Sequence, residues 1–228
     1  VLACTLLLGL IGLRKRLPVL PLGSVSVWTQ DHLYTGIFAA GVYVLHVPTL
    51  IGSGPLEFVL SLLFLSVTAS GIYGIYASRT LPKRLTAVEG QHRFDRVGWH
   101  RSQIAETART LLAELNEQTA KRVLGRFYDS ELNPFFSTRP SLAYVMMPTG
   151  VRRRRLLGGL KELNRYLETD GRTTAGRFAA LVRRRDDLDY QYALQLRLRL
   201  WLVIHSVLSV SLIVTGILHG VLAWRFTI

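Results

Sequence analysis

The sequence predicts an all-α integral membrane protein, a four-helix bundle with a helical cytoplasmic insert between its third and fourth spans. Apolar runs occupy residues 1–13, 33–51, 56–78 and 200–226 of the 228-residue chain, and about 20 apolar residues are needed to cross a bilayer. The chain carries 28 basic and 15 acidic residues, and most of them lie outside the apolar runs. Two of the runs also hold histidine pairs of equal spacing.

The first apolar run is short for a span and does not begin with methionine. It ends at the basic residues 14–16, so we expect an incomplete first span rather than a cleaved signal peptide. Residues 17–30 contain Pro18, Pro21 and Gly23, which disfavour a continuous helix. The sequence therefore predicts a connector here, with the second span beginning near its end.

A short turn at Gly54 and Pro55 is predicted to join the second span to the third. The third span is predicted to end near Tyr76 to Pro82, where charged residues and a proline follow the apolar run. Membrane helices one to three are thus expected within residues 1–78.

Residues 79–198 have the character of a domain outside the bilayer. They include 23 basic and 13 acidic residues and no apolar run long enough to span. Positive residues concentrate in cytoplasmic loops, so we expect this insert and residues 14–16 in the cytoplasm, with both chain ends outside. The fourth membrane helix is predicted within residues 199–228.

Within the insert, residues 101–127 are predicted as one amphipathic helix. Three prolines predict an irregular segment over residues 133–150, followed by a helix over residues 152–167. A last helix is expected from Thr173 directly into the fourth span, because no Pro or Gly interrupts residues 177–215. The side chains of the irregular segment that we expect against the membrane are Phe135, Phe136, Tyr144, Met146 and Met147.

Four histidines lie in the second and fourth spans, His32 and His46 in one, His205 and His219 in the other. An ionisable ring is costly in lipid and usually has a function there. Each pair is fourteen residues apart, a step that turns a helix by about −40° and advances it by about 21 Å. Both rings of a pair therefore share one face. Since the two spans run in the same direction, His32 is expected opposite His205, and His46 opposite His219.

Two such helices facing each other could ligate two stacked haems. Ligation by two histidines leaves no open iron position, which favours electron transfer over catalysis, so we expect no catalytic site in this chain. Small residues on the same faces would leave room for a flat porphyrin, although they also serve close helix packing. The residues predicted to line the cofactor are Gly36, Ala39, Tyr43, Ser209 and Gly216, beside Leu212.

Four arginines stand near the expected cytoplasmic haem. Pairing with haem propionates and contact with lipid phosphates explain them equally well. They are Arg14, Arg16, Arg197 and Arg199.

The His-x13-His pair repeated on two helices resembles the dihaem core of the cytochrome b subunits of bc complexes and, more loosely, ferric reductase and NADPH oxidase transmembrane domains. The resemblance covers spans two and four, about a quarter of the chain. It implies that His32, His46, His205 and His219 are axial ligands of two haems b in an energy-transducing membrane of the bacterial inner-membrane type. The Pro-Glu-Trp-Tyr quinone motif of bc-type subunits does not occur in this sequence, nor does the flavin and nicotinamide domain of ferric reductases.

Electrons would then reach the chain from other redox subunits. The single cysteine, Cys4, excludes an iron–sulfur cluster or a covalently attached haem built from this chain alone. Expected partners are a cytochrome c, an iron–sulfur protein or a flavin protein, with membrane lipids around the helices and no nucleic acid. Two alternatives stay open: a cytochrome b subunit that oxidises or reduces quinone, and a non-redox scaffold or transporter whose histidines join helices.

Other charged and histidine clusters are predicted to be ordinary surface features. His92 and His100 are expected at the surface or the membrane interface rather than at a metal. The arginines of residues 152–155 and 183–185 are expected to be solvated as part of the topology signal. Anionic lipid headgroups or an acidic redox partner are alternative ligands for them.

Overall fold

A computed structural model of the protein describes the backbone of residues 1–16, 24–86 and 94–227, and the side chains of these residues except 11–16, 25 and 227. The described part is all-α and contains no strand, which confirms the all-α part of the prediction. The α-helices are α1 (Leu2–Arg16), α2 (Val25–His46), α3 (Pro55–Thr86), α4 (Val97–Ala113), α5 (Gln118–Phe127), α6 (Asn133–Ser137), α7 (Leu142–Met146), α8 (Val151–Leu163) and α9 (Thr169–Thr227). Shorter turns are the 3-10 segments Phe94–Arg96 and Asn164–Tyr166 and the π-helical turn Tyr128–Leu132.

The chain forms two compact units. Unit 1 comprises Val1–Arg79 and Arg199–Ile228, and unit 2 comprises Thr80–Leu198. Helices α3 and α9 contribute residues to both units, and α9 runs without a break from the insert into the last apolar run. This continuity confirms the prediction that the last insert helix enters the fourth apolar segment directly.

Unit 1 has a small apolar core to which all four of its helices contribute. Ala39 and Tyr43 of α2, Phe64 of α3 and Leu212 of α9 are buried there, with Cys4 and other α1 residues partly buried against them. The Tyr43 and Phe64 rings stack with centroids 4.1 Å apart. The Tyr43 hydroxyl donates a hydrogen bond of 2.7 Å to the carbonyl of Leu50 beyond the end of α2.

The outer surface of unit 1 is strongly apolar. Among the described residues, α3 and α9 are long and apolar enough to cross a membrane, by length and composition. Only 17% and 6% of the residues in their most apolar windows are buried, whereas the core helix of a soluble protein would be mostly buried. The length, composition and exposure of these two helices are thus those of helices suited to a membrane.

Unit 2 has the opposite pattern, with a continuous apolar interior. Residues from α4, α5, α6, α8 and α9 form one core, in which Phe178, Leu124 and Leu132 are fully buried. The predicted helix over residues 101–127 is wrong as a single element, because α4 ends at Ala113 and α5 begins at Gln118. The break follows from the extended backbone of Glu117, the residue that precedes α5.

The segment predicted to be irregular contains two short helices, α6 and α7. Phe135 and Phe136 are buried in the core of unit 2, so the expectation that they lie against the membrane is wrong. Their burial follows from α6, which continues from the π-helical turn and directs both rings inward. Ser141 caps α7, since its hydroxyl accepts a hydrogen bond of 3.3 Å from the backbone N–H of Tyr144.

Other predicted boundaries differ in detail. Helix α3 continues past Pro82 to Thr86, although an interior proline removes one backbone donor and its ring crowds the preceding turn. Helix α2 begins at Val25, where the Ser24 hydroxyl accepts a hydrogen bond of 3.3 Å from the N–H of Val27. Most of the predicted connector, residues 17–23, and His92 lie outside the described residues.

Candidate metal centre

The inner histidines, His32 of α2 and His205 of α9, lie close to each other in unit 1. Their ring centroids are 6.4 Å apart and their planes are inclined by 73°. A metal–imidazole bond is about 2 Å long, and the ring centroid lies roughly 1 Å from each nitrogen. Two rings on opposite sides of one iron would therefore have centroids roughly 6 Å apart. This expected spacing is close to the observed distance between the two ring centroids.

His205 is oriented by α3. Its Nδ1 lies 3.2 Å from the hydroxyl oxygen of Ser70. When Nδ1 donates to that hydroxyl, the lone pair available to a metal is left on Nε2. A Cβ on Gly71 would stand 3.9 Å from His205 Cε1, so this glycine is in ordinary contact with the ring.

Trp201 lies one turn before His205 and adds a second contact with α3. Its indole N–H donates a hydrogen bond of 2.9 Å to the Ser70 carbonyl, and the two rings of Trp201 and His205 are 5.7 Å apart. A Cβ on Gly74 would overlap the indole. Only glycine allows the helices to approach this closely.

The surface formed by Ser70, Gly71 and Gly74, here called the α3 cradle, was not predicted as part of the site. Ser66, Ser70 and Gly74 recur every four residues in the third apolar run, which places them on one helical face. Small residues at this spacing commonly mark close helix packing in membranes. This spacing is the sequence signal that could have identified α3 as the support for His205.

The outer histidines are arranged differently. His46 is exposed and is the last residue of α2. His219 is half-buried, and its Nδ1 lies 4.0 Å from a carboxylate oxygen of Glu57. Within the described residues, no ring contact joins His46 to His219. The structure thus brings the inner pair together and places the outer pair at the same helical spacing without such a contact.

The residues predicted to line a cofactor are divided between packing and polar roles. Ala39 and Tyr43 are buried in the core of unit 1. The Ser209 hydroxyl donates 2.7 Å to the carbonyl of His205 on its own helix. Cβ atoms on Gly36 and Gly216 would face α1, at 4.0 Å from a Leu8 methyl and 3.3 Å from a Leu2 methyl, respectively.

The predicted propionate partners are only partly described. The side chains of Arg14 and Arg16, at the end of α1, lie outside the described residues. Arg199 is exposed on α9, six residues before His205, which corresponds to about 9 Å along a helix.

Unit 2 contains a buried charge cluster that sequence patterns did not reveal. Asp189 pairs with both Arg101 of α4 and Arg185 of α9. Arg185 is 1% exposed, so the prediction that residues 183–185 are all solvated is wrong for this residue. The reason is geometric, because Arg185 and Asp189 are four residues apart and share the inward face of α9. Burial lowers the pKa of Arg101, and Asp189 opposes that shift.

A second polar group lies beside this cluster. The hydroxyl of Tyr144 lies 3.3 Å from one oxygen of Asp186, and a guanidinium nitrogen of Arg153 lies 3.5 Å from the other. Burial raises the pKa of the Asp186 carboxyl, with Arg153 opposing the shift. Burial and the nearby Asp186 charge also raise the pKa of Tyr144.

The remaining histidine of unit 2 that is described, His100, packs edge-on against Trp99 with centroids 4.9 Å apart. No group of three or more His, Cys, Asp or Glu side chains suited to a metal ion occurs among the described residues. Haem iron needs only two protein ligands, because the porphyrin supplies the other four.

Comparisons with family models, curated protein sequences and solved structures find no match to this chain. The residues and contacts above are therefore the basis for assigning a function.

Proposed function

We propose that the protein is an integral membrane dihaem cytochrome b that carries electrons across the bilayer as a subunit of a larger redox complex. Its four spans would be α1, α2, α3 and the part of α9 after Arg199. The observation that carries the proposal is the distance between the His32 and His205 rings, 6.4 Å between centroids. That distance suits two axial ligands of one iron.

The surroundings of His205 support a ligand role. A ligating histidine usually donates its second ring N–H to a neighbouring oxygen, which fixes the ring and its tautomer. Ser70 provides such an oxygen at 3.2 Å, and the α3 cradle holds the imidazole and the adjacent Trp201 against a helix with little side-chain freedom.

The outward faces of unit 1 support a membrane location for more than the two longest helices. On α2, Ile37, Phe38 and Leu45 are exposed although all are large and apolar. Such a surface would be unfavourable in water and is expected where lipid is the solvent. Insertion of α1 and α2 beside α3 and α9 would complete a four-span bundle.

Haem, when bound, would supply a one-electron iron couple. His32 and His205 would hold one haem, and His46 and His219 would hold the second on the opposite side of the membrane. With two histidines holding each haem, the chain would leave no iron position for oxygen or substrate. The apolar core between the two levels, around Ala39 and Leu212, would exclude water from the path.

Donor and acceptor are proposed to be other subunits. The only cysteine, Cys4, cannot build an iron–sulfur centre by itself, so electrons would enter from a cytochrome c, an iron–sulfur protein or a flavin protein and leave to another such carrier. In a variant of this proposal, a quinone is the carrier at one end of the electron path, and quinone-site inhibitors would detect its site.

The reduced-minus-oxidised spectrum of the purified chain tests the proposal. We expect b-type bands with two haems per chain. The His205→Leu variant should lose one haem and keep the other, because the two pairs lie about 21 Å apart along their helices. His100→Leu is the matched control in unit 2 and should keep both haems.

A colourless preparation would overturn the proposal and favour a scaffold or transporter in which the histidines join helices. The pairing is tested separately with His219→Leu. This variant should retain the inner haem, and the loss of both haems or of neither would contradict the assignment of His46 and His219 to one iron.

A further inference from the structure

A short segment of unit 2 exposes large apolar side chains beside arginines. In the described part of unit 2, six large apolar residues are well exposed, and four of them lie between residues 142 and 151. These four are Leu142, Met146, Met147 and Val151. The chain has only two methionines, and both are in this segment.

The segment is folded, and contacts with the rest of unit 2 hold its exposed residues in place. Val145 is buried and Tyr144 is tied to α9 through the Asp186 carboxylate, 3.3 Å from its hydroxyl. Leu142 and Met146 are four residues apart and share the opposite face of α7. One face of α7 therefore anchors the segment, while the other presents apolar side chains to the surroundings.

The segment and its neighbours in the sequence carry only positive charges. No acidic residue occurs between residues 132 and 161, and six basic residues do. Arg153 and Arg155 are paired with carboxylates. Arg139 and Arg154 are exposed and have no salt bridge within the described residues. Arg152 lies over the Phe135 ring at 5.0 Å with its side chain exposed.

We propose that residues 139–154 form a membrane-interface site, in which the four apolar side chains enter the headgroup boundary of an anionic bilayer and the exposed arginines contact lipid phosphates. Apolar residues on one face and arginines around them are the composition of interfacial helices. The cytoplasmic leaflet carries the negative charge that such arginines recognise. We refer to residues 139–154 as the interfacial segment.

Lipid is a better occupant than a second copy of the chain. A symmetric contact would bring two positive patches together, which is repulsive. The chain also holds unit 2 near a bilayer if α3 and α9 span it, because both helices continue into unit 2. The inference rests on that part of the proposed function and not on haem.

The test uses the full chain in a Cys4→Ser background, reconstituted into phosphatidylcholine vesicles with or without phosphatidylglycerol. A fluorophore is attached to the Met147→Cys variant. The matched control is Tyr166→Cys, since Tyr166 and Met147 are 72% and 75% exposed in the same unit. Val151→Cys serves as a second test position if the first variant folds poorly.

We expect a nitroxide on the lipid acyl chains to quench the label at Met147 several-fold more than the label at Tyr166. Phosphatidylglycerol should strengthen the effect, and salt should weaken it. Arg152→Gln and Arg154→Gln should each lower the inserted-to-free ratio by about fivefold, the change corresponding to about 1 kcal/mol per arginine at an anionic surface.

Three results would overturn the proposal. Equal access of aqueous iodide to both labels, without nitroxide quenching, would mean that the interfacial segment is solvated. Protection from both quenchers would mean that a protein covers it. Nitroxide quenching that does not change with phosphatidylglycerol or with salt would exclude recognition of anionic lipid by this segment. Haem spectra of the same samples keep the two proposals separate, because haem content and quenching at Met147 can fail independently.

Discussion

Unit 1 and unit 2 distribute polar and apolar groups in opposite ways. In unit 1 the polar side chains that make specific contacts, such as His32, His205 and Ser70, are partly buried between helices, while Leu45 and Phe38 are exposed. In unit 2 the apolar residues around Phe178 form the interior, and most charges are at the surface. The same chain therefore contains one region suited to lipid and one suited to water.

The two units also use buried polar groups for different purposes. In unit 2, Asp189 pairs with both Arg101 and Arg185 and joins α4 to α9, which is a structural role. In unit 1, the two inner histidines cannot neutralise each other, and both would repel if protonated. Under the proposed function, the two imidazoles, 6.4 Å apart between centroids, would be held together by a shared ligand.

The largest expected effect comes from removing the shared carboxylate of unit 2. Asp189→Ala leaves Arg101 and Arg185 buried without their common partner, and the loss of one member of a buried ion pair costs about 3–5 kcal/mol. Thermal unfolding in detergent measures this loss. Asp187→Ala, on the same helix but half-exposed, should cost less than about 1 kcal/mol. Equal effects would mean that the buried cluster is not structural.

A smaller effect is expected at the α3 cradle. In Gly74→Ala, the new methyl group would overlap the Trp201 indole, and overpacking of this kind costs about 1–3 kcal/mol. Gly71→Ala is the matched control, because its methyl group would meet His205 at an ordinary 3.9 Å. Thermal stability and haem content should both fall in Gly74→Ala and should stay unchanged in Gly71→Ala. An unchanged Gly74→Ala protein would contradict the close approach of α3 and α9.

Ser70→Ala tests whether the cradle positions a ligand. Loss of the hydroxyl 3.2 Å from His205 Nδ1 should weaken haem binding about tenfold, at the low end of outer-shell effects on metal affinity. The backbone contact with Trp201 would remain, so stability should change little. Haem titration and the reduction potential provide the measurements. Ser78→Ala, an exposed serine of α3, should alter neither, and parallel changes in both variants would exclude a positioning role.

The smallest expected effect is a dependence of protein stability on pH, which arises from Asp186 in unit 2. Since burial raises the pKa of Asp186, the folded protein holds this proton more tightly than the unfolded chain. The contribution of Asp186 to the free energy of unfolding therefore falls as the pH rises. The fall begins at the ordinary aspartate pKa, about 3.9, and continues through the raised pKa of the folded protein. Tyr144, Arg153, Arg185, Asp187 and Asp189 surround it and are unchanged in Asp186→Asn.

The difference in melting temperature between wild type and Asp186→Asn isolates that contribution. The wild type should lose stability relative to the variant over this pH interval. A constant difference between the two curves would mean that Asp186 has the same proton affinity in both states.

Much of the helical architecture could be predicted because it depends on local patterns. The continuity of α9 follows from an uninterrupted run without Pro or Gly, and the apolar character of α3 follows from composition alone. The sequence does not predict the break between α4 and α5, since the apolar spacing continues across residues 114–117, which lie outside both helices. The burial of Phe135 and Phe136 was also missed, because composition does not distinguish a core from a membrane surface.

The sequence by itself determined that two histidine pairs share helical faces, since 3.6 residues per turn relates residues fourteen apart without any knowledge of packing. Only the tertiary structure decided which groups meet these faces. Ser70 and His205 are 135 residues apart in the chain, and Arg101 and Asp189 are 88 apart. Contacts over such separations depend on how helices approach one another. Helical periodicity shows that Gly74 lies on a face of small residues, but it does not show which helix packs against that face.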